Sequence, residues 1–432
     1  MKNHLFINHN EKLVSLFNDK IEPSQFLADY FSSLCRKFEY YRNLLKPFNS
    51  DRCGLNIFNN LPESDKDDYR TTSQREALLL SKNELFTTEY SSGSTSKCVL
   101  RICRQEDDNA ELKVTEEVFR RTGMNQEDVV VCLEIGSFTI HDFYLRAARN
   151  IGVHLNYFIH LTYPYKNAIN QLSNIKPTIL LTIPSLFAII VDEFIEMCNL
   201  SNINLKAFIY MGESLPSELR LKIETHLKCP IYSFYGTTET GGIGGSCKFD
   251  PQSIHYNPEN ILFSLKNPIK LSNEKWRGEA ILTTFNVHSQ PVLKYKIGDI
   301  IELNTNLCKC GETLPRLRFI ERTSESFLIA AEKFKYDMFF NTFSSVLPGL
   351  DIMNIIINDD LINKNLTILN IILPLKYKQE KLKILKILKH DIFELDAMYQ
   401  YGLVDFNIDF KPVSQIVFKK NKKIIDFRSS MK

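Results

Sequence analysis

Apolar residues near the N-terminus recur at the spacing of an amphipathic helix. They fall at three- and four-residue steps, at Leu13, Leu16, Phe17, Phe26, Leu27, Tyr30, Phe31 and Leu34. One face of an α-helix repeats about every 3.6 residues, so this pattern predicts helix over residues 11–48. We therefore expect a helical lead-in within residues 1–60.

Beyond a polar segment around Pro62, short apolar runs alternate with amphipathic stretches as far as about residue 245. The runs that fit strands are 129–133, 153–158, 178–182, 207–211 and 230–234. Strands that alternate with helices are typical of a layered α/β domain with a largely parallel sheet. The predicted fold class is therefore α/β.

The pattern changes to short strands and turns between about residues 247 and 320, which predicts a small β subdomain. Its clearest strand candidates are 278–282 and 295–303. We assign this subdomain to a large N-terminal core over residues 1–321.

The last hundred residues carry strand candidates at 352–357 and 366–373 and a helical stretch near 378–393. This arrangement fits a separate α+β unit of ordinary small-domain size. We predict a small, mobile C-terminal lid domain over residues 322–432.

Length and composition describe a globular chain with more than one domain. The 432 residues are 44% apolar and 24% charged, with a formal net charge of +2, which gives no electrostatic basis for binding nucleic acid. The N-terminus lacks the pattern of a signal peptide, and the longest apolar stretch, 178–191, is shorter than a membrane span. We expect a cytoplasmic protein that binds neither nucleic acid nor membrane.

Three short motifs carry groups that suit a nucleotide. Residues 235–239 read Tyr-Gly-Thr-Thr-Glu at a strand end, which supplies a ring, two hydroxyls and a carboxylate. Residues 90–97 read Tyr-Ser-Ser-Gly-Ser-Thr-Ser-Lys, whose hydroxyls, amides and ammonium group suit a polyphosphate, although the spacing is not that of a Walker loop. Residues 295–299 read Tyr-Lys-Ile-Gly-Asp, where the carboxylate can accept ribose hydroxyls. Each motif alone also fits an ordinary turn.

The order of these motifs resembles the adenylate-forming superfamily of acyl-CoA synthetases, peptide-synthetase adenylation domains and luciferases. The succession is the loop near residue 94, Gly212-Glu213, the motif at 235–239, the motif at 295–299, and Arg322. Segments 61–70 and 211–216 look more narrowly like the phenylacetate-CoA ligase branch. The resemblance extends from about residue 35 to residue 428.

The resemblance implies a two-step reaction. A carboxylate attacks the α-phosphate of ATP to give an acyl-adenylate and pyrophosphate, and a thiol then displaces AMP. The first step brings a carboxylate to a polyphosphate, and Mg²⁺ and lysine neutralise the repulsion between them.

The resemblance also implies roles for individual residues. The β- and γ-phosphates would be held by Ser91, Ser92, Ser94, Thr95 and Lys97. The α-phosphate would be held by Thr238, and Mg²⁺ by Glu239. Adenine would stack on Tyr235, next to Gly236 and Thr237, with Gly212 and Glu213 as the opposite wall. Asp299 would bind ribose, and Arg322 would mark the hinge. The catalytic lysine of the lid would be Lys420, although several adjacent lysines leave its register open.

Cysteine and histidine residues indicate a metal site. Cys308 and Cys310 form a tight pair, and Cys247 with His255 forms a second pair. Thiolate and imidazole ligands in this combination suit tetrahedral Zn²⁺. Some members of the phenylacetate-CoA ligase branch have a similar arrangement, which implies a structural zinc. Reduced surface cysteines are the alternative.

The acyl pocket implied by the resemblance is lined by Phe138, Phe234 and Ile243, which favours an aromatic or apolar acid. Glu134 offers two interpretations: it meets the amino group of an amino-acid substrate, or it is exposed at a strand end.

The predicted acceptor thiol is CoA, with the phosphopantetheine of a carrier protein as the alternative. The family's paired aspartates at the hinge appear here as Ser324 and Glu325, and a loop glycine appears as Ala331. These departures affect the thiol-transfer half, so a carrier-loading enzyme and a catalytically degenerate nucleotide-binding relative both stay open. A homodimer also stays open.

Overall fold

The computed structural model divides the chain into two compact units. Unit 1 comprises Met1–Ser91, Val99–Val118 and Ser233–Thr323, and unit 2 comprises Ser92–Cys98, Phe119–Tyr232 and Ser324–Lys432. The structure describes residues 3–7, 13–18, 22–48, 53–66, 68–69, 87–90, 100–135, 140–197, 203–212, 215, 217–322, 326–329, 332–350, 352–360, 366–412, 416 and 424–428.

Unit 1 is built on antiparallel strands. Its strands are β1 (Asn3–Ile7), β2 (Leu13–Asn18), β3 (Thr87–Tyr90), β4 (Leu100–Cys103), β9 (Ile231–Thr237, from Ser233 onward), β10 (Gly241–Cys247), β11 (Asp250–Tyr256), β12 (Ile261–Ser272), β13 (Lys275–Thr284), β14 (Tyr295–Asn304) and β15 (Arg316–Arg322). The sheet order is β1-β2-β12-β13-β14-β15-β11-β10-β9, and every neighbouring pair is antiparallel. Strands β3 and β4 pair separately.

Helices α1 (Pro23–Lys37), α2 (Glu39–Leu45) and α3 (Gly54–Asn60) of unit 1 pack against one face of this sheet. Unit 1 also includes the part of α4 (Gln105–Arg121) up to Val118. Leu27 and Phe31 of α1 and Phe58 of α3 are almost fully buried against Leu262 and Ile281 of the sheet. The other face of the sheet buries a second cluster that includes Tyr256, Phe263 and Ile301. Burial of these large apolar side chains anchors the strands that carry the site.

Unit 2 contains a parallel sheet in the order β8-β7-β5-β6. Its elements are β5 (Val129–Glu134), α5 (Ile140–Asn150), β6 (Leu155–His160), α6 (Lys166–Ile175), β7 (Ile179–Thr182), α7 (Pro184–Met197), β8 (Ala207–Met211) and α8 (Ser217–Lys222). Strands lie at the positions predicted for unit 2, and β5, β7 and β8 are almost entirely buried, as interior strands of a parallel sheet are.

The C-terminal part of unit 2 carries a smaller sheet in the order β20-β19-β18-β21. Its elements are β16 (Ser326–Ile329), β17 (Glu332–Lys335), α9 (Tyr336–Ser344), β18 (Asn354–Asp359), β19 (Thr367–Pro374), α10 (Lys381–Lys386), α11 (Phe393–Gln400), β20 (Val404–Lys411) and β21 (Ile424–Asp426). A large sheet and a second smaller one confirm the predicted α/β fold class. In the described residues, no helix combines the length and apolarity that crossing a membrane requires.

The N-terminal helix prediction is wrong at its beginning. Strands β1 and β2 pair with each other, and β2 pairs with β12, where the Ser15 and Ser264 hydroxyl oxygens lie 2.7 Å apart. Helix begins only at Pro23, where the Glu22 carboxylate accepts hydrogen bonds from the amides of Ser24 and Gln25. Pairing with a distant strand outweighs the local apolar spacing here.

Candidate functional site

The Tyr-Gly-Thr-Thr-Glu motif forms the end of β9 and the tight turn into β10. The amide of Thr240 donates to the carbonyl oxygen of Thr237 at 3.2 Å, and their hydroxyl oxygens lie 2.9 Å apart. Thr238 and Glu239 therefore occupy the tip of the turn, where both are partly exposed. A fixed turn presents a hydroxyl and a carboxylate side by side to the solvent.

The glycines after this turn allow close packing of the hairpin. Gly241 has a φ of +69°, and a Cβ there would lie 2.5 Å from the carboxyl carbon of Glu111 on α4. A Cβ on Gly244 would lie 2.0 Å from the carbonyl oxygen of His255 on β11. Glycine is therefore required here by the neighbouring helix and strand.

Glu111 fixes the hairpin to α4. One of its carboxylate oxygens accepts from the Gly242 amide at 3.0 Å, and the other lies 2.6 Å from a guanidinium nitrogen of Arg101 on β4. Their side chains are only 17% and 10% exposed. Neither residue is predictable from the sequence, since nothing near it in the chain points to a hairpin more than a hundred residues away.

The two tyrosine motifs meet in unit 1 through crosswise hydrogen bonds. The Tyr235 hydroxyl donates to Asp299 at 2.9 Å, and the Tyr295 hydroxyl donates to Glu239 at 2.7 Å. Each motif therefore supplies a phenol to the carboxylate of the other. Burial first, and then the nearby Glu239 carboxylate, raise the pKa of Tyr295 well above its ordinary value, so that this phenol is a neutral donor.

Other predicted nucleotide residues lie at defined positions in the described chain. Asp299 is 1% exposed, and Arg322 lies opposite it across the β14–β15 ladder. Gly212 follows β8 directly with a φ of +80°. Phe234 and Ile243, predicted to line the acyl pocket, are both buried.

Several predicted residues lie outside the described residues. They are Ser91, Ser92, Ser94, Thr95 and Lys97 of the hydroxyl-rich loop, Phe138, Glu213, and Lys420, together with the hinge and loop positions Ser324, Glu325 and Ala331. Their predicted roles stay predictions.

The four predicted metal ligands converge in unit 1. The ligand atoms of Cys247, His255, Cys308 and Cys310 all lie within 4.8 Å of one another. The sulfurs of Cys247 and Cys308 are 3.7 Å apart, and the sulfur of Cys310 is 3.6 Å from Nε2 of His255. A tetrahedral zinc with bonds of about 2.3 Å to sulfur sets two sulfurs about 3.8 Å apart, so the cluster fits this metal.

The pKa values of the two buried thiols in the cluster, Cys247 and Cys308, shift in opposite directions. Burial acts to raise the pKa of Cys308, but hydrogen bonds from Cys310 and Cys247 and the nearby Arg316 outweigh burial and lower that pKa. Burial raises the pKa of Cys247 to about 12. Since metals bind thiolates, a cation in this cluster would also stabilise the ionised form of Cys247.

Glu134 of unit 2 is buried, so the expectation that it is exposed at a strand end is wrong. Its side chain is 3% exposed, and one oxygen lies 2.5 Å from Nδ1 of His141, whose ring stacks on Phe158 at 4.0 Å. Burial raises the pKa of Glu134, and the contact with His141 opposes this shift. A hydrogen-bonding partner on the next helix explains how a strand-end carboxylate can be covered.

Comparisons with known proteins show which family model and which solved structures this chain is similar to. The model of the family described as AMP-binding enzyme matches residues 50–261. A comparison with curated proteins finds no match. The chain is similar to a solved 2-hydroxyisobutyryl-CoA ligase in complex with 2-HIB-AMP and CoA, with 17% identity, 95% of this chain and 90% of that chain covered, and a TM-score of 0.74.

Two further solved ligases share the fold. A malonyl-CoA ligase with methylmalonyl-CoA and AMP bound has 13% identity over 75% of this chain and 71% of that chain, with a TM-score of 0.54. A double mutant of o-succinylbenzoate CoA synthetase from Bacillus subtilis has 14% identity over 80% and 70%, with a TM-score of 0.53. The family model therefore matches just under half of this chain, and the solved ligases share its fold.

Proposed function

We propose that this protein activates a carboxylic acid with ATP to form an acyl-adenylate and then transfers the acyl group to CoA. The observation that carries the proposal is the meeting of Tyr235 and Asp299 with Tyr295 and Glu239. An aromatic ring beside one carboxylate, with a second carboxylate on an adjoining turn, supplies groups for a base, a ribose and a cation.

Each residue has a distinct task in the first step. Tyr235 stacks on adenine, Asp299 accepts from the ribose hydroxyls, and Thr238 bonds the α-phosphate that the acid attacks. Glu239 would hold Mg²⁺ bound with ATP, which supplies charge stabilisation as pyrophosphate leaves. A carboxylate oxygen of the acid forms a bond to the α-phosphorus. The bond between the α-phosphorus and the oxygen that bridges to the β-phosphate breaks, and pyrophosphate leaves with that oxygen.

The remaining assignments follow the motif order. The loop with Lys97 contacts the leaving pyrophosphate, and Lys420 reaches the reacting centre from the C-terminal domain. Together these cations would offset the negative charge that builds up during the transfer.

CoA as the acceptor is supported by the likeness to ligases whose structures contain CoA or a CoA thioester. The altered hinge and loop positions favour one alternative acceptor, the phosphopantetheine of a carrier protein. The acid itself is proposed to be aromatic or apolar, as in the phenylacetate-CoA ligase branch, because Phe234 and Ile243 are the apolar residues that flank the turn.

The test is acid-dependent exchange of pyrophosphate into ATP across a panel of aryl, fatty, hydroxy and amino acids. We expect exchange with at least one class, and we expect Glu239→Gln to lower it by about a hundredfold or more, as loss of a group that stabilises transition-state charge does. Glu274→Gln, in an exposed turn, is the matched control and should behave like wild type. Folded protein that supports exchange with no acid would contradict the proposal.

We further propose that Cys247, His255, Cys308 and Cys310 hold a structural zinc that ties β10 and β11 to the segment before β15. A site closed by four protein ligands leaves no position for substrate, so its contribution is to stability. Elemental analysis should find about one zinc per chain, reduced in Cys310→Ala but not in Cys35→Ala. Wild-type protein purified with zinc present that retains none would end this proposal.

A further inference from the structure

Tyr295 is buried beside the turn that carries Glu239, and its hydroxyl donates to that carboxylate. We propose that Tyr295 is a positioning residue that orients Glu239 for its cation. The inference rests on the proposed function only in that Glu239 binds the cation that accompanies ATP. It gives a separate task to Tyr295, the first residue of the motif at 295–299. In that motif, only Asp299 has been given a role above.

The backbone around Tyr295 is held firmly in place. The Ser64 amide donates to the Lys294 carbonyl oxygen at 3.0 Å, and the Lys296 amide donates to the Ser64 carbonyl oxygen at 2.9 Å. The ammonium group of Lys294 donates to the carbonyl oxygen of Leu61 at 2.7 Å. Contacts on both sides of Tyr295 therefore limit its movement.

The ring of Tyr295 is held as well. It is 3% exposed and lies edge-on to the ring of Tyr69 at 6.1 Å. The Tyr69 hydroxyl in turn donates to Gln290 at 2.8 Å. A ring fixed by packing and by a bonded neighbour loses little further entropy when it donates a hydrogen bond.

Glu239 depends on this donor for its orientation. It sits on a turn and is partly exposed, and across the described chain its side chain has one hydrogen bond, from Tyr295 to Oε1. Its second oxygen, Oε2, remains to bind a cation. A hydrogen bond to a charged acceptor is among the stronger ones in proteins, so this single contact can select one carboxylate orientation.

The second crosswise bond supports the same interpretation. Tyr235 donates to Asp299, so the turn and the start of β14 are linked at both ends of the site. Loss of the hydrogen bond between Tyr295 and Glu239 therefore leaves Asp299, the proposed ribose ligand, bonded to Tyr235. We expect cation binding alone to become weaker.

Tyr295→Phe tests the proposal, because it removes the hydroxyl and retains the buried ring. Mn²⁺ affinity is measured by electron paramagnetic resonance in the presence of ATP and without any acid. We expect Mn²⁺ to bind about tenfold more weakly than in wild type, the effect of losing one hydrogen bond to a charged group. The Mg²⁺ concentration for half-maximal pyrophosphate exchange should rise in parallel, with the KM for the acid unchanged.

Tyr41→Phe is the matched control, since it also removes a buried phenol hydrogen bond, in that case to the carbonyl oxygen of Pro291. Its Mn²⁺ affinity should equal that of wild type. Glu239→Asp is the second variant, because the shorter side chain withdraws the carboxylate from the phenol; it too should bind Mn²⁺ more weakly.

Equal Mn²⁺ affinity in Tyr295→Phe and wild type would overturn the positioning role, even if exchange is robust. The proposed function fails separately, if no acid supports exchange while Mn²⁺ and ATP still bind. A fluorescence melt of Trp276, the single tryptophan of the chain, confirms that each variant is folded. A Tyr295→Phe protein that melts at the control's temperature yet binds Mn²⁺ more weakly supports positioning over a purely structural role.

Discussion

Glu111 offers a sharp test of how the turn between β9 and β10 is supported. Its carboxylate joins the Gly242 amide, at 3.0 Å, to the Arg101 guanidinium, at 2.6 Å. Glu111→Ala removes both contacts, whereas Glu111→Gln retains an oxygen for Gly242 but removes the charge that faces Arg101. The two variants therefore separate the backbone contact from the ion pair.

The size of the effect follows from burial. Arg101 is 8% exposed, so loss of Glu111 removes a carboxylate partner from a nearly buried cation. Removing one partner of a fully buried pair costs about 3–5 kcal/mol, and we expect about 2 kcal/mol for Glu111→Gln because this pair keeps some contact with water. The lost bond between a backbone amide and a charged acceptor adds about 2 kcal/mol in Glu111→Ala.

Denaturant unfolding followed by Trp276 fluorescence measures these values, because Trp276 belongs to unit 1 with the hairpin. The unfolding midpoint should fall in the order wild type, Glu111→Gln, Glu111→Ala, at an unchanged slope. The double variant Arg101→Met with Glu111→Met should recover part of the loss, since neither member of the pair remains charged. A Glu111→Ala midpoint that reports a loss below about 0.5 kcal/mol, the range of surface substitutions, would refute this account of the hairpin.

Further predictions concern packing and pH. Gly244→Ala forces a Cβ to within 2.0 Å of the His255 carbonyl oxygen and should cost about 3 kcal/mol, whereas Gly311→Ala, at a φ of +86° in open space, should cost about 1 kcal/mol. Similar denaturation midpoints for the two would contradict the packing argument. Burial raises the pKa of Glu134 above its ordinary 4.5, so its titration contributes stability that is complete below that pH and is lost as pH rises through the raised value. The free energy of unfolding of wild type relative to that of Glu134→Gln should therefore fall as pH rises. If this difference stays constant with pH, Glu134 titrates alike in the folded and unfolded states, which would contradict the prediction.

The sequence predicted the elements whose pattern is local. Strand β5 has five fully buried residues in six, and β7 and β8 are buried throughout, so their apolar runs identify strands directly. Strand β2 could not be recognised in the same way. One of its two partner strands, β12, lies more than two hundred residues away, and the apolar spacing of β2 itself is compatible with helix.

The candidate site shows the same division. Motif order predicted Tyr235, Glu239 and Asp299, and residue chemistry predicted the Cys/His set; the structure brings the members of each set close together, while their roles stay predictions. The support from Glu111 and the burial of Glu134 were not predictable, since each depends on a contact with a side chain or amide on another element. Such contacts follow from the fold and leave no pattern in the neighbouring sequence.

The central claim is that the acid attacks the α-phosphate of ATP. The most direct measurement supplies an accepted acid labelled with heavy oxygen in its carboxylate, together with ATP and CoA, and follows the label by mass spectrometry. The account predicts that one labelled oxygen per turnover appears in AMP, because the acyl-adenylate bond passes through that oxygen. Label recovered in inorganic phosphate, with ADP as the nucleotide product, would contradict it.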